Sequence, residues 1–381
     1  MRIPLPQSIK FVLDTLLNNG FKAYIVGGSL RDSLLKLKVD DYDICTSAKP
    51  QEVTALFSKT VATGIKHGTV TVIVDKTPVE VTTFRTDGDY SDSRRPDTVE
   101  FVSDLETDLS RRDFTVNAMC YNENEGLLDF FGGIDDLKTK TLRTVGDADR
   151  RFSEDALRIL RLFRFSSTLG FAPEKDTLDA ALNNAPLLKN ISAQRIEKEL
   201  KKTSAGKNPE AILPLIDTGV LPTLKVNEAI SKIPLLPDNE NLKFFAFLYL
   251  LSDDLESVLA FLKCSNAFKK YAISLKYNAR AAIETRTDIK CLLNEIESDI
   301  FDLLKFKSVI LCEDTESAEK TAAEIIDSGE PYKISQLAVS GKDMGKKGYK
   351  GAQINDTLLM LLKKVMENPE LNEKATLLKL I

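Results

Sequence analysis

Asp41 and Asp43 stand two residues apart in Asp41-Tyr42-Asp43-Ile44-Cys45, a run that reads as a β-strand. Side chains at i and i+2 of an extended chain leave the same face, so the two carboxylates are expected to project side by side. Like charges so placed are costly unless a cation neutralises them, and hard divalent ions take carboxylate oxygens as ligands. Two such ions can activate an attacking hydroxyl and steady a leaving pyrophosphate. Glu80, on the alternating stretch Val79-Glu80-Val81-Thr82-Thr83-Phe84, is the candidate for a third carboxylate from a neighbouring strand. Taken alone, an Asp-x-Asp pair also describes a solvated strand end.

Upstream lies Val26-Gly27-Gly28-Ser29-Leu30-Arg31-Asp32. A strand ending in Gly27-Gly28 and opening a helix lets backbone amides approach phosphate oxygens, with Arg31 adding positive charge. The spacing is neither the P-loop nor the dinucleotide fingerprint, and two glycines after a strand also make a tight turn. The neighbouring carboxylate pair turns the reading towards a triphosphate.

Two further blocks carry paired charges. Arg111-Arg112-Asp113-Phe114-Thr115-Val116-Asn117-Ala118 offers guanidiniums that match phosphate geometry, with a carboxylate and an amide suited to a sugar hydroxyl; the bland alternative is a capped helix start with surface arginines. Glu154-Asp155-Ala156-Leu157-Arg158-Ile159-Leu160-Arg161 reads as a helix begun by Ser153 as N-cap, with Ala156, Ile159, Leu160 and Phe163 on the buried face. Glu154, Arg158 and Arg161 fall opposite, with Asp155 at their edge. They make either ordinary ion pairs or a base reader. A carboxylate beside a guanidinium presents an acceptor next to donors. That pattern fits the amino group and adjacent ring nitrogen of both cytosine and adenine, and mismatches guanine and uracil.

The elements that must hold these groups divide the chain of 381 residues in two. Roughly the first 120 residues mix β-rich runs with helices. A helical pattern over 5–19 ends at Asn19-Gly20, a strand covers Ala23–Val26, and alternating strands cover Thr69–Val74 and Val79–Phe84. Residues 86–98, polar and broken by Gly and Pro, read as a mobile loop. From Ser153 onward the pattern is helical.

Composition removes several alternatives. The single histidine, His67, excludes zinc sites and phosphohydrolase centres that need two imidazoles, and it is assigned no role of its own. Five scattered cysteines without a CxxC argue against a disulfide framework. The start lacks an apolar leader and no apolar run reaches membrane-spanning length, so a cytoplasmic protein without a membrane partner is expected. The net charge of −5 leaves room for a local basic path, to which Lys342, Lys346 and Lys347 are candidate contributors.

As an ordered set, the Gly27–Asp32 and Asp41–Asp43 pair, Arg111–Ala118, Glu154–Arg158 and Ser192–Leu200 resemble the class II CCA-adding tRNA nucleotidyltransferases of the poly(A) polymerase family, within the polymerase β-like superfamily. The resemblance spans about residues 20–205. It implies an α+β nucleotidyltransferase head (1–140) with a mixed sheet and helices, followed by an all-α neck (141–205), body (206–330) and tail (331–381). It also implies template-independent addition of C, C and A to the 3′ end of tRNA from CTP and ATP. Asp41 and Asp43 would bind two Mg2+ ions, Gly27, Gly28 and Arg31 the triphosphate, and Arg112, Asp113 and Asn117 ribose and phosphates. Asp155 and Arg158 would read the base with Glu154 orienting Arg158, Arg161 and Arg164 would contact phosphate, and the tail lysines RNA. Residues 86–98 look like the loop that members adding only C lack. The alternatives within the family are an A-adding or CC-adding specialist and a poly(A) polymerase; outside it, a non-catalytic RNA-binding protein on the same fold.

Overall fold

The structure, a computed structural model, describes residues 3–39, 41–88 and 99–381. Two compact units divide between Val226 and Asn227.

The first unit is built on a seven-stranded sheet. In chain order its elements begin with α1 (Gln7–Asn18), β1 (Ala23–Val26), α2 (Gly28–Leu34), β2 (Asp43–Thr46), α3 (Pro50–Leu56), β3 (Thr60–Gly64), β4 (Thr69–Val74) and β5 (Thr77–Thr83). A ribbon of β6 (Arg85–Asp87) and β7 (Val99–Phe101) follows, then α4 (Leu105–Ser110), β8 (Met119–Asn122) and β9 (Gly126–Asp129). The strand order is β3-β4-β5-β2-β1-β8-β9. Only β2 and β5 pair in parallel, so the sheet is mixed, as the alternating runs led us to expect. Ile9, Val12, Leu13 and Leu16 form the i, i+3, i+4, i+7 stripe of α1 and bury against Ile25, Ile44, Val70 and Val81 of the sheet. The helix stops at Asn19-Gly20, where Gly20 adopts a positive φ of 87°.

Helices α5 (Gly133–Thr139), α6 (Ala148–Glu154), α7 (Leu157–Leu169), α8 (Lys175–Asn183) and α9 (Ala193–Ser204) continue the unit. Here two expectations change. Ser153 does not start a helix: it lies inside α6, its hydroxyl donating to the Arg150 carbonyl. The break falls at Asp155, whose extended backbone separates α6 from α7 and whose Oδ1 accepts the Leu157 N–H. Ala156, Ile159, Leu160 and Phe163 are all buried, but Arg158 is buried as well, because the helix is covered on both sides.

The second unit is helical throughout its described residues. Its longer helices include Glu240–Leu251, Asn266–Asn278, Arg286–Ile296, Glu316–Ser328 and Ala352–Glu367. Its C-terminal part has its own apolar core of Leu337, Met344, Leu358, Leu361, Leu362 and Val365. Buried charges within the unit are tied down: Lys290 Nζ bonds Glu330 at 2.8 Å and the Met366 carbonyl at 3.1 Å, and Lys307 Nζ bonds Glu313 and the carbonyls of Ala279 and Ala281. Cys45, Cys120 and Cys264 are buried free thiols, and Cys291 and Cys312 are exposed. Among the described residues no helix is long and apolar enough to cross a membrane.

Candidate active site

The paired carboxylates sit where β2 begins. Strand pairing starts at Asp43, so Asp41 precedes the ladder instead of lying within it. On one side Asp43 is register partner to Val26, the last residue of β1; on the other it faces Glu80 of β5. The parallel β2–β5 pairing therefore delivers Glu80 beside Asp43, as strand alternation predicted. Burial raises the Asp43 carboxyl above its ordinary range; the nearby Arg112 opposes this, while the negative charges of Glu80 and Asp41 add to it. Three acidic groups thus share one end of the sheet.

Among the described residues no three His, Cys, Asp or Glu side chains converge into a ready metal cluster. The donor chemistry nevertheless fits a hard divalent ion: the negative charges of Glu80 and Asp41 that add to burial in raising Asp43 are what a cation would relieve.

Gly27 joins β1 to α2 with φ 75° and ψ −142°, a conformation that disfavours any side chain. A Cβ there would stand 3.4 Å from Arg112 Nη1 and 3.7 Å from Asp43 Oδ2, so the glycine also keeps open the space between the arginine and the carboxylate. Gly28 opens α2, where Arg31 is buried; its Nη1 donates to Asn117 Oδ1 at 2.6 Å, and Nε and Nη2 fork onto Asp32.

Arg111–Asp113 do not start a helix but leave the end of α4, and both arginines reach back to Asp108, which is fully buried. Burial alone would raise Asp108, yet Arg111 and Arg112 hold it below the ordinary carboxylate range. Asp113 is the hub of the next layer. Its Oδ1 accepts the Asn117 amide at 3.0 Å and the Phe114 N–H at 2.8 Å, while Oδ2 accepts Arg161 Nε and Nη2 at 2.8 and 2.5 Å. Burial opposes ionisation there, but Arg161 and these hydrogen bonds hold the carboxyl well below its usual range. Asn117 therefore ties Arg31 to Asp113, and Arg161 extends the chain to α7.

The base-reading candidates are arranged differently from the expected Asp155/Arg158 pair. Arg158 Nη1 bonds Glu154 Oε2 at 2.9 Å and the Arg151 carbonyl at 3.0 Å, and its Nη2 bonds the Arg111 carbonyl at 2.9 Å. Glu154 thus pairs with Arg158 and also with Arg150 and Arg151. Asp155 Oδ2 instead accepts Arg195 Nη2 of α9 at 3.2 Å. Arg164 pairs with Glu199, one turn beyond Arg195, at 2.7 Å. Burial and the charge of Arg161 pull Arg164 down to about 10.

Arg195, Glu199 and Asp108 are the site residues that motif reading left without roles. The first two lie at i and i+4 of the helix within Ser192–Leu200, and Asp108 lies three and four residues before the paired arginines; those spacings were the available signals. The tail lysines belong to the second unit: Lys342 and Lys346 are exposed on the short helix Gly341–Lys346, and Lys347 donates to the Leu378 carbonyl. Most of the predicted loop, residues 89–98, lies outside the described residues. His67 contributes its backbone carbonyl to Arg85.

Residues 23–143 match the poly(A) polymerase head domain, and residues 170–225 match the probable RNA and SrmB-binding site of polymerase A. The CCA-adding enzyme of Geobacillus thermodenitrificans is 49% identical over 221 residues, 58% of this chain, and the chain spans only 54% of that relative's length. The CCA-adding enzyme of Limosilactobacillus fermentum is 36% identical over 97% of this chain and 94% of its own. Among solved structures, the Bacillus stearothermophilus CCA-adding enzyme in complex with CTP superposes with a TM-score of 0.84 at 32% identity, covering 98% of this chain and 96% of that one. The Thermotoga maritima CCA-adding enzyme complexed with tRNA shares the fold, with a TM-score of 0.69 at 21% identity, over 98% and 95% of the two chains.

Proposed function

The chain belongs to the family of CCA-adding enzymes, and we propose on that premise that it adds C, C and A in turn to the 3′ end of tRNA from CTP and ATP, releasing pyrophosphate at each step. The observation that carries the reading is the meeting of Asp43 and Arg112 at Gly27, with Glu80 beside Asp43 in the ladder, which sets acidic groups for cations against a guanidinium for phosphate.

In this reading Asp41 and Asp43 hold two Mg2+ ions, with Glu80 as the third catalytic carboxylate. When bound, such ions acidify the attacking 3′-hydroxyl and neutralise charge on the α-phosphate and the leaving pyrophosphate. The protein's own groups supply position and electrostatics. Gly27 and Gly28 let the triphosphate come close to the backbone, and Arg31, Arg112, Arg161 and Arg164 are the donors for it. Asn117 and Asp113 fix two of those arginines; the Asn117 amide keeps an acceptor lone pair and an N–H for a ribose hydroxyl, while Asp113 acts through the arginine and amide it holds.

Asp155 and Arg158 read the incoming base. The geometry gives each a separate support: Glu154 and two carbonyls hold Arg158, and Arg195 holds Asp155. A reader held by independent supports presents one fixed pattern of donor and acceptor, which suits cytosine and adenine and leaves buried groups unpaired against guanine or uracil. The division into head, neck, body and tail, a cytoplasmic setting and RNA contact by Lys342, Lys346 and Lys347 belong to the same proposal.

The test is product length. A tRNA lacking CCA and one lacking only the terminal A are incubated with CTP, ATP or both. Full CCA addition extends the first by three nucleotides with both nucleotides present, and the second by one with ATP. Addition of C alone, of A alone, or of a long A tract assigns the chain to the corresponding specialist, and no extension despite tRNA binding marks a non-catalytic RNA-binding protein.

A further inference from the structure

We propose that Phe165 is a positioning residue whose aromatic ring gathers the guanidiniums of Arg31, Arg161 and Arg164 into one receiving cluster for the nucleotide triphosphate. The inference rests on the reading of those arginines as the triphosphate donors.

Three cations surround this one ring. The guanidinium carbon of Arg164 lies 4.0 Å from the ring centroid, that of Arg31 4.9 Å and that of Arg161 5.3 Å. All three distances fall within the range where the negative face of an aromatic ring attracts a cation. The arginines come from two separate elements, Arg31 from α2 and the other two from α7. Each is paired with a different carboxylate: Arg31 with Asp32, Arg161 with Asp113 and Arg164 with Glu199. Those pairs neutralise the guanidiniums one at a time, and Asn117 further links Arg31 to the Asp113 that binds Arg161. The ring is what the three share.

Holding them together has an opposing force. The charges of Arg161 and Arg31 both make the cation of Arg164 harder to keep, and burial does so more strongly. An apolar side chain of similar bulk would fill the volume without countering that repulsion. The aromatic face counters the repulsion and, being planar, also fixes the approach of flat guanidiniums.

The ring is itself immobilised. Phe165 is buried and packs edge to face against Phe114, with centroids 5.8 Å apart and planes at 89°. Phe114 follows Asp113 in the chain and donates its N–H to the same carboxylate that binds Arg161. Ring, carboxylate and guanidinium therefore form one assembly. Arg161, whose side chain is 35% exposed, is the more open member, against 7% for Arg31 and 14% for Arg164.

The experiment replaces Phe165 with 4-fluoro-, 3,5-difluoro- and 3,4,5-trifluorophenylalanine, which drain charge from the ring face with little change in shape. The expected result is a stepwise rise in KM for CTP and ATP alike, reaching about tenfold at the trifluoro ring. Inhibition by inorganic tripolyphosphate should weaken in parallel, while kcat, KM for tRNA and the thermal midpoint hold. A merely structural ring would move the thermal midpoint and leave the KM series flat, which overturns the proposal. So does a rise confined to one of the two nucleotides. Arg161→Ala separates the two levels of inference: if it raises KM for both nucleotides while the fluorinated series is flat, the triphosphate reading stands and the ring loses its role. If Arg161→Ala changes neither KM, the triphosphate reading falls and the proposal with it.

Discussion

Charged groups are treated in opposite ways at the end of the sheet and inside the second unit. Asp41, Asp43 and Glu80 gather like charges, and Arg112, which opposes the rise of Asp43, is already paired to Asp108. Lys290 and Lys307, by contrast, are almost wholly buried and each holds a carboxylate together with backbone carbonyls. A buried charge left unpaired and a cluster of like charges both cost free energy, so a fold meets that cost either internally or through a ligand. The second unit does so internally, which ties helices to each other. The sheet end leaves its carboxylates to be satisfied by something that binds. The difference separates charge used for architecture from charge held for chemistry, and substitution in the two regions should read out differently.

The largest effect is expected at Asp43. Asp43→Asn keeps the shape and removes one of three neighbouring negative charges. Nucleotide addition should fall on the order of 10³-fold in kcat, while tRNA affinity stays near wild type and the thermal midpoint measured without divalent ions holds or rises. A variant that adds nucleotides normally would remove the metal role from Asp43. A large fall in thermal midpoint would place this carboxylate with the architectural charges.

Glu330→Gln makes the opposite trade in the second unit. Glu330 binds both Arg286 and Lys290, and its neutralisation leaves the buried Lys290 ammonium with neutral acceptors such as the Met366 carbonyl in place of that carboxylate. Chemical denaturation should report a loss of about 2 kcal/mol. KM for CTP and ATP should not move, and a change there would break the division between the two kinds of charge.

Arg158→Ala is the intermediate case, because Arg158 is buried like an architectural charge yet belongs to the proposed base reader. Competition between CTP and UTP should show selectivity reduced about 10- to 100-fold, with a smaller change in folding stability. Undiminished rejection of UTP and GTP would return Arg158 to architecture, as a clamp between Glu154 and the Arg111 carbonyl.

Much of this arrangement was legible in the sequence wherever local periodicity decided it. Strand alternation located β4 and β5, and with them Glu80; Gly27-Gly28 marked the turn; the helical stripe of α7 was visible from Ala156 to Phe163. What could not be read depends on contacts between distant segments. Nothing local to Asp155 says that Arg195, forty residues on, is its partner, and so the simpler Asp155/Arg158 pairing was expected. The α6–α7 break was missed because Ser153 is a good N-cap in isolation, whereas the chain uses Asp155 to turn and to cap the next helix. Nothing local singles out the ring of Phe165, since it meets Arg31 only when α2 brings that arginine beside it.

The smallest effect concerns acid. Glu330 is held down from 4.5 to about 2, chiefly by its hydrogen bond with Arg286 and further by Lys290. A carboxyl whose folded pKa is depressed stabilises the folded state fully above its unfolded pKa and loses that contribution as pH falls through the folded one. The stability gap between wild type and Glu330→Gln should therefore be constant from neutral pH down to about 4.5, then narrow towards pH 2. High salt should shrink the part of the gap due to the exposed Arg286 more than the part due to buried Lys290, because screening acts mainly through solvent. A gap that widens on acidification would mean that protonated Glu330 is the better partner, and the network would then not be a set of ion pairs at all.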